Sequence, residues 1–578
     1  MAFDQLYSNP LFNMEVGSTL PISYNFDHPD YTRKSEVWKT CRDAVEGQEA
    51  IKAEKTRYLP KLNGQSAEEY ENYLNRALYY NATGRTVQSY NGMIFRKDPI
   101  IKVFNKDGSE ATDFNKKDYF KSVTNKGKSL TDLLHDVVDE VIQVNRVGIL
   151  VDYPNEEDLS FGSVSRMTKL DKERLGWKPM LTKYSAESIV NWQYMYVGTT
   201  PVPVMYVVKE EVWDYAESIF PSKTDIYRIM ALEPYTEYEG GPTKVRYKQI
   251  TFKDSVVSVS GKPDENVWQI TDIVYPKKDG KFMNFIPFYI LTDRGIDFEN
   301  LDNPMIYDLA VLNISHYMNS ADLENELHLI SIKTIVFPGW SKDAGLGDPR
   351  IGGALAVPKD CMPQVLEASN KSGLADQLGD KEDRMAVLGS SAIDRGGRYV
   401  ASSQTARISS RAESSILTTM AVSLSTAFEE ILTFLLEWDD KPEYVVEVAL
   451  NTDYYNDDMT ATHLEALTKS LQQGSISFDS YYYQLEQKEF FPPNWSKDKE
   501  LESIRETLAP YFDLSEERFL EVSSRIDVLE NITGEASVGA TAAFIAPIVS
   551  GDAEPSATEI SDNTREPVIV PEENVENN

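Results

Sequence analysis

Cysteine is almost absent: Cys41 and Cys361 are the only two in 578 residues. Two thiols cannot build a disulfide framework, and no C-x-x-C, H-E-x-x-H or G-x-S-x-G occurs, so structural zinc, zinc-hydrolase and serine-hydrolase chemistry have no foothold. Positive charge is also scarce, with 58 Lys and Arg against 92 Asp and Glu, a net −34. Residues 551–578 hold eight carboxylates against one arginine, so −27 belongs to the rest of the chain. A protein that clamps nucleic acid by displacing counterions needs clustered cations, so this balance argues against a general DNA-binding surface. It does not exclude a protein that DNA must pass without sticking. Long apolar runs are missing too: none approaches the roughly 18 residues of a membrane span, and "AAFIAPIV" from 542 is short and broken by Pro547. The opening "MAFDQLYSNPLF" lacks the basic and apolar regions of a secretion signal, so a soluble protein of a reducing cytoplasm is expected.

What is present is a mixture of helical and strand patterns. Residues 31–82 read as helices, with Tyr70, Tyr73, Leu74, Ala77 and Leu78 recurring at three and four. In "SLTDLLHDVVDEVI" Ser129 is a candidate cap with Asp132 three residues on, and Leu130, Leu133, Leu134, Val137, Val138 and Val141 share one face. The strand "RVGILVDYP" follows directly. From about 177 to 292 short segments rich in Tyr, Val and Ile alternate with Pro, Gly and Asp, which predicts a β-rich region. Helices return from 304 to 438 around a strand-like insert, and another helical group spans about 458–530. After 535 the chain is Gly, Ala, Ser, Pro and Glu without periodicity, the composition of a mobile tail. The fold class is α+β, and the length predicts three or four subdomains.

Two glycine motifs fail on inspection. "SVTNKGKS" ends like a phosphate-binding loop, but Ser122 stands where the first glycine must be. "GLGDPRIGG" from 345 carries Arg350 where a dinucleotide fingerprint needs its third glycine. The adjacent Asp457 and Asp458 diverge on any regular element and suit a helix cap better than an acid/base pair.

"NISHYMNSADLENELHLI", residues 313–330, holds two of the five histidines and three carboxylates. Asn303 before Pro304 is a good helix start, and Met305, Leu309, Leu312, His316, Ser320, Leu323, Leu327 and Ile330 make a packing seam. His316 and His328 lie about 18 Å apart along such a helix, so one metal cannot bind both. Asp322 and Glu326 share one face, Glu324 and His328 another, as in solvated or intersubunit polar pairs. Further on, Ser402 or Ser403 can cap a long helix to Trp438, with Ile408, Ala412, Ile416, Met420, Leu424, Phe428, Ile431 and Leu435 along one side. Before it, Asp394, Arg395, Gly396, Gly397 and Arg398 form a locally basic loop, either an exposed linker or a functional contact.

In this order of elements the chain resembles the portal proteins of tailed bacteriophages. The resemblance lies in "YNGMIFRKDP", "RVGILVDYP", "NISHYMNSADLENELHLISIKTIVFPGW", "DRMAVLGSSAI", "SSQTARISSRAESSILTTMAVSLSTAFEEIL" and "SLQQGSISFDSYYYQLEQKEFFPPNW". It implies a ring, usually of twelve subunits, at one capsid vertex, through which DNA is packaged and ejected. It also implies a wing over residues 1–303, a first stem helix at 304–330, a clip at 331–373 and a second stem helix at 374–389. A tunnel loop at 390–403, a long wing helix and strand over 404–457, a crown at 458–535 and an acidic tail at 536–578 complete the expectation. Arg395, Gly396, Gly397 and Arg398 become candidate DNA-channel residues, and Asp322, Glu324 and Glu326 the polar face of the stem. The implied partners are further copies of the chain, the major capsid protein, a scaffolding protein, terminase, a head-tail adaptor and double-stranded DNA. No membrane, metal, cofactor or catalytic residue is expected, and the implied location is the virion after assembly in the host cytoplasm. An acidic conduit repels phosphates, so the charge that argues against a DNA clamp agrees with a channel. The alternatives are another capsid or tail assembly protein, or an enzyme working through carboxylates.

Overall fold

The computed structural model describes residues 14–154, 176–214, 222–238, 243–257, 265–278, 280–299, 301–331, 334–338, 354–357, 364–366, 373–389, 403–454, 461–473, 475–487 and 499. The chain is α+β, as its patterns require. It divides into two units, residues 1–454 and 455–578.

After a short strand β1 (Thr19–Pro21), the first unit opens with four helices: α1 (Pro29–Glu46), α2 (Gln48–Ala53), α3 (Ala67–Arg76) and α4 (Ala82–Ile94). A reciprocal pair fixes the start of α3, with the Ser66 hydroxyl accepting from the Glu69 amide and the Glu69 carboxylate accepting from the Ser66 amide. Tyr70, Tyr73, Leu74 and Ala77 are buried as the periodicity demands. Leu78 is 53% exposed, because the helix ends at Arg76 and Ala77 is already extended at ψ 134°. Strand β2 (Ile100–Asn105) leads to α5 (Leu130–Val144). Ser129 and Asp132 form the same reciprocal cap there, and the six apolar residues read from the sequence are all buried. Asn145, left-handed at φ 54°, turns the chain into β3 (Val147–Asp152).

The β-rich region contains β4 (Met180–Ser185), β5 (Ile189–Val197), β6 (Thr200–Asp214), β7 (Ser222–Tyr235), β8 (Lys244–Val257), β9 (Glu265–Val274), β10 (Phe288–Thr292) and β11 (Gly295–Ile296). Five of these and β1 make an antiparallel sheet in the order β1-β9-β8-β7-β6-β5. A second antiparallel sheet runs β11-β10-β3-β4. Arg228 joins the two by reaching Glu210 at 2.9 Å and Asp152 at 3.5 Å. Burial raises the Asp152 carboxyl above its ordinary value despite that cation.

Helix α6 (Tyr307–Ser331) follows, then a small sheet of β12 (Thr334–Pro338), β13 (Ala354–Val357) and β14 (Gln364–Leu366). In it β12 is central, parallel to β13 and antiparallel to β14. The unit continues through α7 (Gly373–Leu388), the 36-residue α8 (Ser403–Trp438) and β15 (Tyr444–Ala449), which pairs with β2.

One stretch corrects the expectation that no segment has the length and apolarity of a membrane span. Ser415–Trp438 passes that test with a mean hydropathy of 1.4, yet 61% of its apolar window is buried inside the protein. Leu417, Met420, Leu424, Phe428, Ile431 and Leu435 belong to the main core together with β3 and β10. The same helix closes the free edge of β15. Ser425 Oγ, Glu429 Oε1 and Thr433 Oγ1 accept from the amides of Leu450, Val448 and Val446 at 3.1, 3.2 and 3.4 Å. The match is geometric, since four residues of helix rise about 6.0 Å and two residues of strand about 6.6 Å.

In the second unit, α9 (Ala461–Gln472) and α10 (Phe478–Gln487) pack together, with the Thr468 and Tyr481 hydroxyls 3.3 Å apart and Tyr482 and Leu485 buried.

Candidate functional site

Helices α6 and α7 form the candidate site, since they flank the small sheet and carry the acidic and histidine-bearing stretch. Leu309 packs with Met385, Ser315 meets Lys381 and His316 meets Glu382. From the Leu309–Met385 contact to the Ser315–Lys381 and His316–Glu382 contacts the numbers rise on α6 and fall on α7, so the two are antiparallel.

The start of α6 differs from the sequence expectation. Asn303 does not cap it; its Oδ1 accepts from Lys34 Nζ at 2.7 Å, and the Tyr307 amide reaches the Pro304 carbonyl instead. The buried face is also rotated from the expected seam. Ile306, Leu309, Ala310, Asn313, Ile314, His316, Tyr317 and Ala321 are buried, while Met305 and Leu327 are 37% and 42% exposed. The rotation follows from two packing partners: Ile314, Tyr317 and Ala321 enter the tyrosine-rich core of α2 and α3, and Leu309 meets α4 and α7.

Asn313 is the polar residue that seam counting missed. Its Oδ1 accepts from the Ala82 amide, the Thr83 amide and the Thr83 hydroxyl at 3.2, 3.1 and 3.0 Å. Its Nδ2 donates to the Tyr80 carbonyl at 2.7 Å. It therefore completes the N-terminus of α4, where helical amides lack internal acceptors. The only signal in the sequence is an amide among apolar neighbours.

The three carboxylates of α6 do not act alike. Asp322 accepts from the Tyr73 hydroxyl at 2.6 Å, and Arg76 Nη2 donates to Asn325 Oδ1 at 3.0 Å, so this face is turned to α3. Burial and then the Asp322 carboxylate push the Tyr73 phenol well up. Glu324 and Glu326 are half-exposed and have no ion pair with a described residue. His316 is buried with Nε2 3.4 Å from Glu382 Oε1, and His328 is exposed. Among the described residues no group of His, Cys, Asp or Glu is arranged to hold a metal ion.

Lys381, which interrupts the apolar repeat of α7, donates to the Ser315 carbonyl at 2.9 Å and its hydroxyl at 2.7 Å. Partial burial lowers its ammonium from the ordinary value. Leu374, Leu378, Met385 and Leu388 recur at helical spacing on α7; Leu378 and Met385 are buried, Leu374 is half-buried and Leu388 is 49% exposed. Arg395, Gly396, Gly397 and Arg398 lie outside the described residues, as do the 345–353 glycine motif, Asp457 and Asp458, and everything after 500.

The loop at 122–129 has other uses for its polar groups. Lys128 Nζ pairs with Asp136 at 2.5 Å, and the Ser129 hydroxyl caps α5.

Residues 304–439 match the family described as a domain of unknown function, DUF4055, a segment running from the approach to α6 to the residue after α8. Among solved structures the chain is similar to one from the virion of a native gene transfer agent (GTA) particle. That likeness has 10% identity, covers 77% of this chain and 99% of the other, and has a TM-score of 0.30, too low to establish a shared fold. No curated protein matches the chain.

Proposed function

We propose that this chain is the portal protein of a tailed bacteriophage: a ring, of twelve subunits in the form the resemblance implies, through which DNA enters and leaves the capsid. The observation that carries the proposal is the order of elements in the segment from α6 to α8. An antiparallel helix pair brackets a three-stranded sheet and is followed by a 36-residue helix rooted in the core. A second observation supports it. Val311, Leu327, Val387, Leu388, Ile416 and Val422 expose between 42% and 73% of their surface on α6, α7 and α8. Apolar side chains spread over three helices are what further copies of the chain would cover.

In this assignment the protein is not an enzyme. It forms an acidic passage and docks the major capsid protein, scaffolding protein, terminase and a tail adaptor at the vertex, while Arg395 and Arg398 offer the few positive contacts to passing DNA. Glu324 and Glu326, free of ion pairs within the described chain, are its candidates for the channel or for a neighbouring subunit. Averaged electron micrographs of the purified chain test the assignment. Rings with a central hole are expected, and particles that stay compact monomers at every concentration overturn it.

A further inference from the structure

Among the described residues the main core borders an open groove. Its volume is about 740 Å³, within the range of pockets that hold a ligand or a partner's side chains. Phe285, Tyr289, Phe298 and Phe434 line it, and Phe285 remains 37% exposed. One wall is the outer face of α8, which presents Glu430 and Glu437. Glu437 is held by Lys278 at 2.6 Å, but Glu430 is exposed and has no hydrogen bond or ion pair with a described residue. An aromatic floor beside an unneutralised carboxylate fits an apolar side chain next to a cation.

The chain carries that combination elsewhere. On the last turn of α7, Arg384, Val387 and Leu388 stand at i, i+3 and i+4 and so share a face. Val387 is the most exposed large apolar residue among those described, at 73%, and Leu388 is 49% exposed. Arg384 is exposed and makes no ion pair with a described residue.

We propose that the groove between β10 and α8 of one subunit receives the Arg384–Val387–Leu388 ridge of a second copy, with Arg384 set against Glu430. The inference rests on the ring assignment and names the contact that builds the ring. Groove and ridge are different patches, so the contact is heterologous, the type that propagates head to tail and closes into a ring when the rotation per subunit permits. Burying the two charges against each other, beside the aromatic floor, makes the contact selective for this partner.

The experiment is a charge exchange in the full-length chain, read as ring fraction by light scattering coupled to gel filtration at one fixed concentration. Glu430→Arg and Arg384→Glu are each expected to lower the ring fraction about tenfold, and the double variant to restore most of it. Circular dichroism and melting of the single variants show that they remain folded, because both positions are exposed. Singles that assemble like wild type leave the groove to a partner other than this chain and overturn the contact. So does a double variant that stays at the level of the singles. A wild-type chain that is monomeric throughout sinks the ring assignment and the contact with it, whereas wild-type rings indifferent to both charges sink the contact alone.

Discussion

Replacing Asn313 with alanine removes the acceptor of two backbone amides and the donor to one carbonyl, all at the junction of α4 and α6. Ala82, Thr83 and Asn313 are themselves fully buried, so water does not replace the side chain freely. A buried group left without its partner costs about 1–3 kcal/mol; the Thr83 amide is orphaned outright, while the Ala82 amide and the Tyr80 carbonyl keep their hydrogen bond to each other at 2.8 Å. The Thr83 hydroxyl can rotate away, and a water admitted to the vacated space recovers part of the loss. A net destabilisation of about 2–3 kcal/mol is therefore expected for this region. The assay is hydrogen exchange of peptides covering 80–94 and 307–321, with urea unfolding of the same variant. Protection should fall together in both segments, since one side chain ties them. Val311→Ala is the control: that side chain is 45% exposed on the same helix, and its loss should cost no more than about 0.5 kcal/mol. If Asn313→Ala costs under about 1 kcal/mol, or if only one segment loses protection, Asn313 does not complete the α4 terminus.

Other expectations follow from single contacts. A Cβ on Gly389 would lie 2.5 Å from Thr86 Oγ1 and 3.3 Å from Leu309 Cδ2, so Gly389→Ala should cost about 1–3 kcal/mol, and Thr86→Ala in the same chain should recover part of it, measured as a melting temperature. Ser425→Ala leaves the buried Leu450 amide without its acceptor, at about 1–2 kcal/mol; an unchanged denaturation midpoint would discount the side-chain ladder along β15. Burial alone would raise the Glu187 carboxyl, but the hydrogen bond and charge of Arg42 hold it below its ordinary value. Its contribution is thus complete above its unfolded pKa of about 4.3 and drains away as pH falls through the lower folded value. Glu187→Gln should flatten that part of the acid-unfolding curve, and an identical curve contradicts the linkage. The pure chain should turn over no ATP, because Ser122 stands where a phosphate-binding loop needs its first glycine and the Ser129 hydroxyl caps α5; turnover abolished by Lys128→Ala refutes this.

Elements whose signals are local are legible in the sequence by themselves. The capped, one-sided α5 and the tyrosine- and valine-rich strands of the large sheet declare themselves within ten or fifteen residues, and both appear where the pattern places them. The face of α6 is not legible, because it is set by two partners far away in sequence that pull the buried stripe toward Asn313 and Tyr317. Asn303 misleads for a similar reason: its cap geometry is sound locally, but Lys34 claims the side chain. Of the candidate site, the acidic stretch stands out in the sequence, while the commitment of Asp322 to Tyr73 depends on a contact spanning 249 residues that no window contains. The open groove is invisible for the same reason, since its walls come from β6, β10, α8 and β15.

The tie between Asn313 and the start of α4 also sets a timetable for synthesis. These partners are separated by 231 residues, which a ribosome adding about 5–20 residues per second needs roughly 10–50 s to produce. During that interval the nascent helices α2 and α3 lack the surface that covers Ile51, Tyr58, Tyr70 and Tyr73. The six-stranded sheet, by contrast, is a run of neighbouring hairpins from β5 to β9 and can form as it emerges. A chain stalled before residue 307 would thus display a finished sheet beside an uncovered cluster of tyrosines, a substrate for chaperones or for premature association with its neighbours on the same message.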